Sequence, residues 1–200
     1  IAENHAKPTP AEVVEILKSH PGNMVYIPSG EYISGRMNND PDARTQEPLT
    51  ETVKLEAYLI DAFEYPNLKN SPVEAFVRYD EAEAACSAQG KRLCTAWEWE
   101  KACKGPENAI YSYGDTYDPE YCGQGLDDVA PSGQKEQCRS GWGVFDVSGN
   151  YQEWTNTPYQ GKQERRIVKD GMPGTEQAAR KGTRCTFSTD HSTGHRDTRL

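Results

Sequence analysis

The chain is poor in basic charge, has no long apolar run, and contains no closely spaced cysteine pair. Its formal net charge is −9 over 200 residues, and its one basic cluster is local, at Arg165, Arg166 and Lys169. Neutralising a phosphate backbone needs clustered Lys and Arg, so a nucleic-acid partner is excluded. No apolar stretch approaches the roughly 20 residues that cross a bilayer. No signal peptide is visible at Ile1, which reads as an internal or processed start. None of the six cysteines falls in a C-x-x-C, which removes the zinc ribbon and the thioredoxin-type redox pair. Internal repeats and low-complexity segments are missing too.

What remains is enough apolar residue for one domain with a core. The cysteines stand at 86, 94, 103, 122, 138 and 185. An even number at long spacings reads as disulfides, and so as a periplasmic, secreted or cell-surface location; buried thiols in a cytosolic protein are the alternative.

Thr9-Pro10-Ala11-Glu12 is a capping box with Pro at the first helical position. It opens a short helix carrying Val13, Ile16 and Leu17, ended by Pro21-Gly22. "MVYIPSGEYISG" predicts two short strands around Pro28-Ser29-Gly30, and the polar stretch from Arg36 to Thr50 a surface loop. Val53, Leu55, Ala57 and Leu59 alternate with mostly polar residues as in a half-buried strand. A helix from Asp80 to Gln89 is stopped by Gly90, and Thr95-x-x-Glu98 caps a second that runs to about Cys103. Beyond Gly105 the composition of Gly, Pro, Asp, Ser and Thr predicts mostly irregular chain, held by cross-links and ions.

Within that half lies "FDVSGNYQEWT", Phe145 to Thr155, an aromatic run broken by Ser-Gly-Asn with a carboxylate on either side. Read from the residues, it is either a turn with solvated flanking acids or an oxygen-rich loop that holds a cation. Together with "MVYIPSGEYISG", "YLIDAFEYPN", "GKRLCTAWEWEKAC" and "YSYGD", in this order, it resembles the formylglycine-generating sulfatase-modifying-factor family. The resemblance runs from about Met24 to the end. It implies an α+β, C-type-lectin-like fold with two main helices, short antiparallel strands and much coil, with residues 1–23 as a helical extension and 24–200 as the family domain.

The resemblance also implies calcium in the loop. Asp146 and Glu153 would supply side chains, and Val147, Gly149 and Tyr151 carbonyls, a set of hard oxygens of the kind Ca²⁺ selects. The family's second calcium site would fall near "YDPEY", where Gly123 stands at an expected Asn and only Asp127 and Asp128 remain as acids. Its disulfide pattern implies Cys103 with Cys185, and Cys86 with a cysteine beyond Leu200 or else with Cys94. Cys122 and Cys138 are left for each other.

Catalytic members of the family bind copper through two cysteines lying five and ten residues before the one matching Cys185. Those positions hold Arg180 and Thr175, and "GMPGTEQAARKGT" has no cysteine at all. Soft Cu(I) selects thiolate, so the copper site has no ligands there. His191 and His195, with Asp190 or Asp197, are the basis for an alternative metal-dependent oxidoreductase, in a segment too rich in Gly, Ser and Thr for a helix. Glu98 and Glu100 read as a cap and a structural or solvated carboxylate. The expectation is therefore a non-catalytic binding or scaffold module that contacts a protein, a cell-envelope component or a glycan. Its candidate surface is the basic group Arg180, Lys181, Arg184, His195 and Arg196.

Overall fold

The computed structural model describes residues 9–19, 22–45, 47–122, 129–170 and 176–194. Helix α1 (Pro10–Ser19) starts at the expected box: Thr9 N–H donates to Glu12 Oε2 (2.7 Å), and Glu12 N–H to Thr9 Oγ1 (3.3 Å). The next two strands do not pair with each other. β1 (Met24–Ile27) runs antiparallel to β4 (Tyr58–Asp61), while β2 (Gly30–Ser34) runs antiparallel to β3 (Glu51–Leu55). The single alternating strand expected over Val53–Leu59 is thus two strands, broken after Leu55 and assigned to different sheets.

Helix α2 (Tyr79–Ala88) ends where Gly90 adopts φ +69°, and Lys91 N–H turns back to the Cys86 carbonyl at 2.9 Å. That φ lies in the left-handed region, where glycine carries no Cβ penalty. Helix α3 (Ala96–Lys104) opens on the Thr95 box, with Glu98 N–H donating to Thr95 Oγ1 (3.1 Å) and Thr95 N–H to Glu98 Oε2 (2.7 Å). Its inner face packs Trp99, Ala102 and Cys103 against Ile27, Val144, Val147 and Cys185, all nearly inaccessible. A second cluster joins Tyr79 to Trp154 and Val168.

The chain beyond Gly105 is more regular than its composition suggests. β5 (Glu153–Tyr159), β6 (Lys162–Lys169) and β7 (Ser188–Ser192) form a three-stranded antiparallel sheet, and α4 (Glu176–Gly182) lies between the last two strands. Sequence reasoning missed this sheet for identifiable reasons. Register shifts around Pro158 break the alternation of β5, and the first half of β6 is exposed and charged. The hairpin turn, Gln160-Gly161, takes positive φ at both residues (49° and 75°), as a type I′ two-residue hairpin requires.

Among the described residues, one disulfide ties the halves together and a second closes a loop within the later half. Cys103 at the end of α3 is bonded to Cys185, 82 residues on, and Cys122 to Cys138. Cys86 and Cys94 are not bonded to each other, contrary to the fallback pairing. Each is placed by a different element: Cys86 by the last turn of α2, and Cys94 by the bond from Asn156 N–H on β5 to its carbonyl (2.9 Å).

Candidate functional site

The segment entering the Ser-Gly-Asn loop is pinned at both neighbouring backbones. Phe145 N–H donates to the Ala62 carbonyl (2.9 Å) and Asp146 N–H to the Cys138 carbonyl (2.8 Å). The chain then curls through positive φ at Asp146 (60°), Gly149 (147°) and Asn150 (68°). At 147° only Gly149 is free of a side-chain clash, which explains the residue type there. The curl is locked from inside. Ser148 Oγ accepts from Ser112 N–H (2.8 Å), Gly149 N–H donates to Asp170 Oδ2 (2.9 Å), and Asn150 Nδ2 donates to Glu64 Oε2 (2.8 Å) and the Ala130 carbonyl (3.0 Å).

Asp146 is therefore not a solvated turn acid: it is 4% exposed. Its Oδ2 accepts from Ser132 Oγ (3.0 Å) and Gly133 N–H (2.6 Å). Glu153, half-buried at the start of β5, accepts from the Trp99 indole N–H. Burial pushes the Glu153 carboxyl up to about 7, against the indole bond and with help from the Asp146 charge. Burial also raises Asp146, although its two donors oppose the shift. Glu64 joins them. It is pushed well above the carboxylate range, first by burial and then by the charges of Asp146 and Glu153, and its Oε1 has no hydrogen-bond partner among the described residues. Here three carboxyls share a dry region and are met by neutral donors.

This arrangement partly fits a hard cation. Hard oxygens and excess buried negative charge are present, and Glu64 Oε1 is an unspent acceptor. Among the described residues, however, no three His, Cys, Asp or Glu side chains converge in a metal-binding group. An ion would have to draw most of its ligands from backbone carbonyls. Of the expected carbonyls, that of Val147 is turned toward the disulfide, with its oxygen 2.8 Å from Cys103 Sγ. Glu64 and Asp170 escaped sequence reasoning; they lie 86 and 21 residues from the loop partners they bind, and nothing local marks them.

Among the described residues, the members of the expected basic surface do not form a free patch. Arg184 is fully buried, with its Nη1 2.6 Å from Asp40 Oδ2 and 2.9 Å from Glu47 Oε2. Arg180 is exposed, but its Nε pairs with Asp42 Oδ2 at 2.5 Å, and Lys181 is half-buried. The segment expected as a surface loop supplies all three acids, Asp42 to Arg180 on α4 and Asp40 and Glu47 to Arg184 just beyond it. His195, Arg196, Asp127 and Asp128 lie outside the described residues. His191 sits on β7 opposite Arg166, its ring edge-on to Trp154 at 6.1 Å. Glu98 is the α3 cap, and Glu100 is a buried structural carboxylate between Lys104 and Lys169.

Residues 62–198 match the sulfatase-modifying factor enzyme 1-like domain family. The chain belongs to this family. Its relatives include the inactive C-alpha-formylglycine-generating enzyme 2 of Bos taurus, 29% identical over 46% of this chain and 36% of that protein. The formylglycine-generating enzyme of Bos taurus is 30% identical over 53% of this chain and 33% of its own length. The chain thus spans about a third of the curated relatives it matches. Among solved structures, the Treponema denticola variable protein 1 superposes with a TM-score of 0.69 at 18% identity, covering 88% of this chain and 92% of that one. PvdO from Pseudomonas aeruginosa gives 0.68 at 15%, covering 86% and 89%. At these identities the structural likeness establishes the fold alone.

Proposed function

We propose that this formylglycine-generating-enzyme-like domain is a non-catalytic binding or scaffold module, braced by disulfides and calcium, that works in an oxidising compartment and contacts a protein, a glycan or another cell-envelope component. One observation carries the reading: the stretch before Cys185, where catalytic relatives place their copper thiols, has none, with Arg180 and Thr175 at the two positions. The kinship with both active and inactive formylglycine-generating proteins leaves room for such a loss. Two disulfides suit an oxidising location. No helix among the described residues is long and apolar enough to cross a membrane.

For the calcium, Asp146 and Glu153 would provide carboxylate oxygens, and Gly149 and Tyr151, with Val147 if its carbonyl swings inward, the remaining protein ligands. The ion would supply positive charge to a region whose carboxyls otherwise repel each other. The chain's own residues prepare that place: Asn150, held by Ala130 and Glu64, fixes the curl, and the Trp99 indole N–H orients Glu153.

Elemental analysis of the purified protein, paired with an oxidation assay on a cysteine-containing peptide, tests the reading. Stoichiometric calcium with no peptide oxidation is expected. Stoichiometric copper or iron with turnover would restore the oxidoreductase alternative.

A further inference from the structure

Beside the loop lies a cleft of about 930 Å³ that no part of the described chain fills. Its lining has an unusual order. Ala57, Tyr58, Leu59, Ile60 and Asp61 border it in unbroken succession, whereas the side chains of a strand alternate between faces. A cleft lined by every consecutive residue therefore runs along a strand's edge. That edge is the outer side of β4, which among the described residues pairs with β1 alone. Facing it is a second consecutive run, Gly90 to Cys94. The cleft is thus an apolar slot with a free backbone edge, the feature that accepts an added strand.

Its charge indicates what would enter. Asp61 is paired with Lys91 (2.7 Å) and Glu98 with Arg92 (2.6 Å). Those are the two cations in the lining, so Glu74, exposed on the rim, remains as an acid with no ion pair among the described residues.

From this edge and this charge we infer that the cleft takes an extended, basic strand of a partner protein, which pairs with β4, places apolar side chains in the slot and sets a Lys or Arg toward Glu74 at the rim. The inference rests on the reading of the chain as a binding module and names the class of its partner. β4 offers four residues, so the added strand spans about 13 Å of ladder. Cys86 and Cys94, both unbonded, line the same cleft and report on its occupancy.

The test uses a fluorescent Val-Arg-Phe-Lys-Val peptide, its acidic counterpart Val-Glu-Phe-Asp-Val, and a basic version with alternate backbone amides N-methylated. Fluorescence anisotropy is read in parallel with the rate of Cys86 and Cys94 alkylation. The basic peptide should bind and slow alkylation, the acidic one should not bind, and N-methylation should weaken binding roughly tenfold by removing ladder hydrogen bonds. Glu74→Lys, at an exposed rim position, should weaken it several-fold while leaving the melting temperature unchanged. Equal binding of the methylated peptide, binding without thiol protection, thiols already shielded in the free protein, or no binding at all would each overturn the strand-acceptor inference. The module reading would survive all four. Copper-dependent oxidation of a peptide cysteine would instead overturn that reading itself.

Discussion

Two buried acidic regions of this protein are built in opposite ways. Around Glu100, the carboxylate is answered by two cations. Lys104 Nζ lies 3.4 Å and Lys169 Nζ 3.8 Å from its carboxylate, Gly35 N–H donates at 2.9 Å, and Lys104 also donates to the Ile33 and Gly35 carbonyls (2.7 and 3.0 Å). Lys169 additionally lies over the Trp99 ring at 5.2 Å. Around Glu64, Asp146 and Glu153, the donors are amides, a hydroxyl and an indole, and Lys135 is the weakest of the groups that hold Asp146 down. The first region is a closed structural network of the kind whose rupture is costly. The second carries a surplus of negative charge and is arranged as a place for something positive. The contrast separates a carboxylate answered by cations from carboxyls answered by neutral donors alone or nearly so, and the proposed calcium site lies among the second.

The largest way to break the comparison is to remove one cation from the closed network. Lys104→Met should destabilise the protein by about 3 kcal/mol, since it leaves the buried Ile33 and Gly35 carbonyls without their donor and Glu100 with Lys169 as its remaining cation. Urea unfolding measures this, and a change below about 1 kcal/mol would mean the network is not closed after all. The open region should behave differently with pH. Glu153 binds its proton more tightly folded than unfolded, so between its ordinary range near 4.5 and about 7 the native state holds more protons. Calcium-free protein should therefore lose stability as pH rises through that window, by about 2 to 3 kcal/mol, and added calcium should restore more of it at pH 8 than at pH 5. Thermal melts in chelator across that range provide the check, with a flat profile as the contrary outcome.

Smaller in effect, Glu64→Gln keeps an acceptor for Asn150 and removes one charge, so it should stabilise the calcium-free protein by about 1 kcal/mol at pH 8, where any equivalent neutralisation in the closed network destabilises. Smallest is Thr95→Ala, which removes the α3 cap outside both regions and should cost about 1 kcal/mol irrespective of calcium or pH.

How much of this was legible in the sequence depends on the range of the interactions. The caps at Thr9 and Thr95 and the stop at Gly90 are written within four residues, and the helices begin and end within a residue or so of them. The five quoted segments carried the family and fold. The three-stranded sheet was hidden because β6 is charged along its exposed half and β5 is broken at Pro158. The loop was marked by its flanking acids, but its dryness was not, because Glu64, Ser132 and Trp99 arrive from elsewhere in the chain. Arg184 was misjudged for the same reason. Its partners Asp40 and Glu47 stand 144 and 137 residues away, and a fully buried guanidinium is indistinguishable in sequence from an exposed one.

Completion of the open acidic region by calcium, as proposed, is tested most directly by the melting temperature of the wild type and of Asp146→Ala/Glu153→Ala, each with calcium and with chelator. A native-state ligand at a hundred times its Kd contributes about 2.7 kcal/mol, so chelator should lower the wild-type melting temperature by several degrees and leave the double variant unmoved. Equal sensitivity of both proteins, or none in the wild type, would contradict the claim.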